Sequence, residues 1–214
     1  MRNKIMSDKQ EINFNDITGV ILAGGRAKRM GGQDKGLLNV NGQTMIELII
    51  ERLSPQVGHL VINANRHLKQ YKKFNYPVIS DDNATEFHGP LAGMLCAIKN
   101  CTTKYILTTP CDSPFFPDDL STRLLSTLIK ENADICVVHD GQRMQPVFVL
   151  IKTNLQESLQ NYLDNGDRKI DLWYKQHHLV LADLSDYSDI SLNINTPDEL
   201  KNLEQKLIEY KKVC

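Results

Sequence analysis

At 214 residues, with 25 basic against 26 acidic residues, the chain has room for a sheet covered by helices on both faces. A formal net charge of −1 excludes broad nucleic-acid binding, which needs a continuous basic surface, and no apolar run approaches the ~20 residues of a membrane span. Five cysteines (Cys96, Cys101, Cys111, Cys136 and Cys214) are odd in number and never spaced Cys-x-x-Cys, so they read as reduced thiols of a cytoplasmic protein and not as a zinc or disulfide framework.

Residues 1–16 are polar, lack the apolar core of a secretory signal, and read as a flexible lead-in to a single domain over 17–214. An apolar run at 17–22 follows and predicts a buried strand. It stops at Gly24-Gly25, where backbone can turn sharply and approach a ligand closely. The loop beyond carries Arg26, Lys28, Arg29 and Lys35 against the single carboxylate of Asp34. Four of the nine residues 24–32 are glycine, which bares N–H donors for an anion, and the cations add charge-assisted bonds to phosphate oxygens. The plainer alternative is a solvated basic loop. Neither the Walker spacing nor the Gly-x-Gly-x-x-Gly dinucleotide fingerprint occurs here.

An Asn41-Gly42 turn comes next, then a helix over 45–53 capped by Thr44 with Glu47 as its capping-box partner. A second strand is expected at 59–63, a polar helix after Asn65-Arg66-His67 to about Phe74, and a third strand at 77–80 that ends on Asp81-Asp82. Gly89-Pro90 opens a helix to Lys99 whose small residues permit close approach. A fourth strand, 104–109, runs into Pro110-Cys111-Asp112, and a helix over 118–130 has acidic residues in its first turn. Adjacent strands at 134–139 and 146–151 break strict β-α alternation. Helices at 153–163 and 167–175, a strand at 179–181 after His177 and His178, an apolar segment around 190–194 and a helix opened by Thr196-Pro197 complete the chain. The class is α/β: a three-layer, mainly parallel twisted sheet of Rossmann-like architecture.

In such sheets ligands sit beyond the carboxyl ends of the strands. Those ends present the 22–36 loop, Asn63, Asp81 and Asp112. Each alone is weak evidence, since a strand-terminal Asp is more often a helix cap than a ligand, but the topology brings all four to one edge. A phosphate loop, an amide and two carboxylates at one edge describe a site for metal-assisted phosphoryl chemistry, in which the protein positions and neutralises charge.

Leu22-Ala-Gly-Gly, Arg29-Met-Gly-Gly and Asp34-Lys35 resemble the signature of nucleotidyltransferases that activate cofactors and sugars. With Val61-Ile-Asn-Ala-Asn-Arg-His67, Gly89-Pro-Leu-Ala-Gly93, Pro110-Cys-Asp112, His139-Asp-Gly141 with Pro146, and Asn193-Ile-Asn-Thr-Pro197, the order over 17–205 is similar to that of the molybdenum cofactor guanylyltransferases. The resemblance implies transfer of GMP from GTP to Mo-molybdopterin with release of pyrophosphate. It further implies GTP contacts at Leu22, Ala23, Gly24, Lys35, Asn63 and Asp81, Mg²⁺ at Asp112, catalytic roles for Lys35 and Asp112, and a pterin side at Asn193 and Asn195. Molybdoenzyme apoproteins or cofactor-delivery chaperones are further candidate partners. For Asp81 a nucleotide hydroxyl or base contact is favoured over a second metal position. The competing readings are a relative that uses CTP or another phosphorylated acceptor, and a non-catalytic nucleotide or pterin carrier. Cys111 reads as a half-buried strand-end thiol, Trp173 as core, and Arg168 and Lys169 as solvated charge or pterin-phosphate contacts.

Overall fold

A computed structural model describes residues 13–23, 34–81, 89–194 and 196–213. The first strand, β1 (Ile17–Leu22), lies inside a seven-stranded sheet, and a tight hairpin, β2 (Asn39–Val40) and β3 (Gln43–Thr44), stands apart from it. The other sheet strands are β4 (His59–Asn63), β5 (Val78–Ile79), β6 (Tyr105–Pro110), β7 (Ile135–His139), β8 (Met144–Lys152) and β9 (Leu179–Asp183), in the order β5-β4-β1-β6-β8-β7-β9. From β1 the chain winds outward through β4 and β5, then returns to place β6 on the other side of β1. That reversal is a topological switch point, and it falls between the carboxyl ends of β1 and β6.

The expected break in alternation is a β7–β8 antiparallel hairpin; β8 also runs antiparallel to β6, while β7 and β9 pair in parallel. β8 starts at Met144, two residues earlier than the sequence suggests. The reason is the tight connection: the Asp140 carboxylate accepts from the N–H groups of Gln142 and Arg143, each at 2.8 Å, so pairing resumes at once, with a register shift between Val137 and Val138.

Both faces of the sheet are buried, so the strands read as continuous apolar runs whose alternate residues enter different layers. On one face Ile17, Ile21, Leu107 and Leu150 pack with helices α1 (Met45–Leu53) and, later in the chain, α4 (Leu120–Lys130). On the other, Val20, Ile106, Val149 and Ile151 meet α3 (Pro90–Asn100), α5 (Gln156–Asp164) and α6 (Ile170–Tyr174), where Trp173 is core as expected. α1 buries Met45, Ile46, Leu48, Ile49 and Leu53, each worth about 1.5–3 kcal/mol. Its capping box forms as read: Thr44 N–H donates to Glu47 Oε2 at 2.7 Å. A smaller cluster, Val40, Met45, Leu48, Phe115, Ile194, Leu203 and Leu207, ties the C-terminal helix α7 (Pro197–Val213) to the hairpin and α1.

Other elements differ in length from what the sequence implies. The polar helix after β4 is one turn, α2 (Leu68–Tyr71), continued by the tighter turn Lys72–Phe74. α4 begins at Leu120, so its acidic residues precede the first turn; Asp119 binds the Arg123 guanidinium, which also holds Asp186. α6 spans only Ile170–Tyr174, and β9 extends to Asp183 because it pairs along all of β7. Among the described residues no helix is long and apolar enough to cross a membrane, and Cys96, Cys101, Cys111 and Cys136 are free thiols.

Candidate active site

The site is built from the carboxyl ends of β1, β4, β5 and β6. Beyond β1 the chain is locked to its neighbours: Ala23 N–H donates to the Asn63 carbonyl at 2.8 Å, and Cys111 N–H donates to the Leu22 carbonyl at 3.3 Å. The Ala23 N–H is therefore spent on the sheet. Gly24, expected among the nucleotide contacts, lies outside the described residues, as do Arg26, Lys28 and Arg29.

The chain is described again at Asp34, which caps the tight turn Lys35–Leu37 by accepting from Gly36 N–H at 3.2 Å. That turn presents Lys35 to the end of β6, where its ammonium donates to Asp112 Oδ2 at 2.8 Å. The pair spans 77 positions of sequence, and its side chains are only 17% and 19% exposed. The other Asp112 oxygen, Oδ1, receives a long contact of 3.4 Å from Ser113 Oγ. Asp112 thus keeps acceptor capacity facing the switch point. Among the described residues no cluster of three or more His, Cys, Asp or Glu forms a metal cage. Asp112 could hold a metal as one carboxylate completed by phosphate oxygens and water, a donor set that suits Mg²⁺.

Asn63 and Asp81 meet as the strand-end argument expected. Asn63, 2% exposed, donates from Nδ2 to Asp81 Oδ1 at 2.9 Å. Asn65, read from sequence only as the lead-in to a helix, donates from Nδ2 to Asp81 Oδ2 at 2.8 Å and accepts from Asp81 N–H at 3.0 Å. The available signal was the Asn63-x-Asn65 spacing, since residues two apart along extended chain return to one side. α3 closes over this arrangement through Gly93: a Cβ there would lie 2.5 Å from Asn63 Oδ1 and 2.9 Å from Leu22 Cδ2. Gly93 thus has a specific use, the close seating of α3 on Asn63.

The C-terminal segment reaches the same edge. Ile194 N–H donates to the Asp112 carbonyl at 3.0 Å, which sets the exposed Asn193 beside the β6 end; Asn195 lies outside the described residues. Cys111 is 8% exposed, buried where the sequence suggested half-burial. Burial first, then the Asp112 and Asp34 charges, pushes its thiol well above the usual range, so it stays protonated. Arg168 is occupied locally, donating to the Leu163 and Asp167 carbonyls, and so acts at the end of α5.

A family profile described as "MobA-like NTP transferase domain" matches residues 19–180. The chain belongs to that family. It is 48% identical over 191 residues to a molybdenum cofactor guanylyltransferase of Shewanella sediminis, covering 89% of this chain and 97% of that protein. A Shewanella halifaxensis protein of the same name is 46% identical over 195 residues, covering 91% and 97%. Among solved structures, molybdopterin-guanine dinucleotide biosynthesis protein A of Archaeoglobus fulgidus superposes with a TM-score of 0.74 at 23% identity, over 90% of this chain and 99% of that one. That likeness places the α/β sheet and its switch point within a known Rossmann-like nucleotidyltransferase architecture.

Proposed function

We propose that this chain transfers GMP from GTP to the terminal phosphate of Mo-molybdopterin, with release of pyrophosphate. A phosphate oxygen of the acceptor forms the new bond to the α-phosphorus, and the bond from that phosphorus to the β-phosphate bridge breaks. The observation that carries this reading is the Lys35–Asp112 pair at the switch point between β1 and β6. An ammonium and a carboxylate with spare acceptor capacity are the two groups a metal-bound triphosphate requires there. The names borne by relatives at 46–48% identity support the guanine nucleotide and the molybdenum cofactor as substrates.

Residue roles follow from chemistry. Lys35 exchanges Asp112 for phosphate oxygens as the nucleotide enters, neutralising charge on the triphosphate and on the pyrophosphate that leaves. Asp112 would hold Mg²⁺, which supplies charge neutralisation at the reacting phosphates. Leu22, Ala23 and Gly24 border the nucleotide at the end of β1. Asn63 and Asn65 orient Asp81 as an acceptor-only group, suited to the N–H donors of guanine or to a ribose hydroxyl. Asn193 and Asn195 would contact the pterin. The continuous sheet supports reading 17–214 as one catalytic domain behind a short lead-in, and the four free thiols support a reducing, cytoplasmic setting. Release of product to a molybdoenzyme apoprotein or a delivery chaperone completes the cycle.

The test is pyrophosphate release from the purified chain with Mg²⁺, molybdopterin and each nucleotide in turn. Turnover with GTP and not with CTP is expected; preferential turnover with CTP overturns the assignment.

A further inference from the structure

The turn that presents Lys35 is supported from beneath by a residue the reaction does not touch. Tyr71, at the end of α2, is fully buried, and its hydroxyl donates to Asp34 Oδ1 at 2.5 Å. The same oxygen accepts the Gly36 N–H. Gly36 itself lies against the phenol: a Cβ at this position would sit 2.6 Å from the Tyr71 hydroxyl oxygen. Lys35 therefore stands between two residues that both rest on Tyr71.

Electrostatics gives this support a purpose. Asp34 is buried, and among the described residues its Oδ2 has no hydrogen-bond partner. A carboxylate removed from water and one residue from Lys35 competes with Asp112 for the lysine ammonium. A permanent donor on Oδ1 reduces that pull. Tyr71 is such a donor, because burial, followed by the charges of Cys111 and Asp34, raises its phenol far above the usual range and keeps the proton on oxygen. An alternative role, packing alone, would be served equally by phenylalanine in the same core.

We infer that Tyr71 is a positioning residue for nucleotide binding: through Asp34 it fixes the Lys35–Leu37 turn and directs the Lys35 ammonium to Asp112 and the incoming triphosphate. The inference rests on the reading of Lys35 as the phosphate-binding cation. It adds the buried tyrosine that makes that cation available, a role no sequence motif assigns.

The test combines Tyr71→Phe and Lys35→Ala, singly and together, with GTP affinity measured by calorimetry in EDTA and again with Mg²⁺. Loss of a hydrogen bond to a charged group predicts that Y71F weakens GTP binding about tenfold. Because Tyr71 acts through Lys35, the double variant should bind no more weakly than K35A alone. Gly36→Ala, which crowds the hydroxyl without removing it, should reproduce the Y71F loss and covers the case in which Y71F folds poorly. Tyr162→Phe removes another hydroxyl, one on α5 that donates to the Lys169 carbonyl just before α6, and should leave GTP affinity unchanged. Wild-type affinity in folded Y71F or G36A, or losses that multiply in the double variant, overturn the inference. Unchanged GTP affinity in K35A overturns instead the underlying reading of Lys35.

Discussion

Two lysine–aspartate pairs sit at opposite ends of the same sheet. At the carboxyl end Lys35 meets Asp112 at 2.8 Å; at the amino end Lys152, the last residue of β8, meets Asp134, just before β7, at 3.2 Å. Their surroundings differ. Asp134 uses both oxygens within the fold, one on Lys152 and the other on the His178 N–H at 3.4 Å, so the pair staples the starts of β7 and β9 to the end of β8. Burial pulls the Asp134 carboxyl upward, but Lys152 and the His178 N–H outweigh it and hold it below the ordinary carboxylate range. Asp112 likewise has one oxygen on its lysine and a 3.4 Å contact on the other, but that contact comes from the neighbouring Ser113 hydroxyl and ties no further strand to the pair. Ion pairing alone thus fails to mark a site. Placement at the carboxyl edge of the switch point is what makes the Lys35–Asp112 pair the candidate.

The comparison can be broken most directly at Asp112. Asp112→Asn should lower GMP transfer by about 10²–10³-fold, the cost of removing a principal electrostatic group, while circular dichroism and melting stay near wild type. An active D112N enzyme would move the metal position elsewhere. Lys35→Ala comes next, with an expected loss of about 10–100-fold in kcat/KM for GTP in steady-state pyrophosphate assays, since a charge-assisted phosphate contact is worth about 1.5–3 kcal/mol. Asn65→Ala removes one of the two amides on Asp81 and should raise KM for GTP about fivefold with kcat nearly unchanged. A fall in kcat instead would place Asn65 in the chemical step.

The smallest effect belongs to the amino end. Asp134→Asn should leave transfer unchanged and cost at most about 1 kcal/mol in urea unfolding, as partly exposed pairs do. Its pH dependence has a fixed sign. A depressed folded-state pKa contributes stability that is present above the unfolded value, about 3.9, and is lost as pH falls through the lower folded value. Wild type should therefore converge on D134N below about pH 4, and a gap that widens in acid would remove Lys152 as the cause.

Local rules carried much of the fold. The Thr44–Glu47 capping box, the Asn41-Gly42 hairpin turn with φ of 51° and 88°, and the buried strand at Ile17–Leu22 each depend on residues a few positions apart. Lengths failed where a distant partner decides: β9 runs to Asp183 because β7 pairs with it, and α6 is confined to Ile170–Tyr174. In the candidate site Asn63, Asp81, Lys35 and Asp112 were legible as polar residues at strand ends. Asn65, Asp34 and Tyr71 were not, because their value lies in what they touch. Tyr71 reads as an ordinary apolar position of a short polar helix until its hydroxyl is seen against Asp34.

The amino-acid sequence by itself determined the α/β class, the phosphate-binding composition of the loop after β1, and the strand-end residues to examine. These follow from periodicity, glycine content and charge, all local quantities. Only the tertiary structure decided that Lys35 and Asp112 form one pair across 77 positions, that two asparagines clamp Asp81, and that Ile194 fastens the C-terminal segment to Asp112. Such contacts depend on strand order and register. Neither is encoded within any single segment, so the site becomes definite only where β1 and β6 lie side by side.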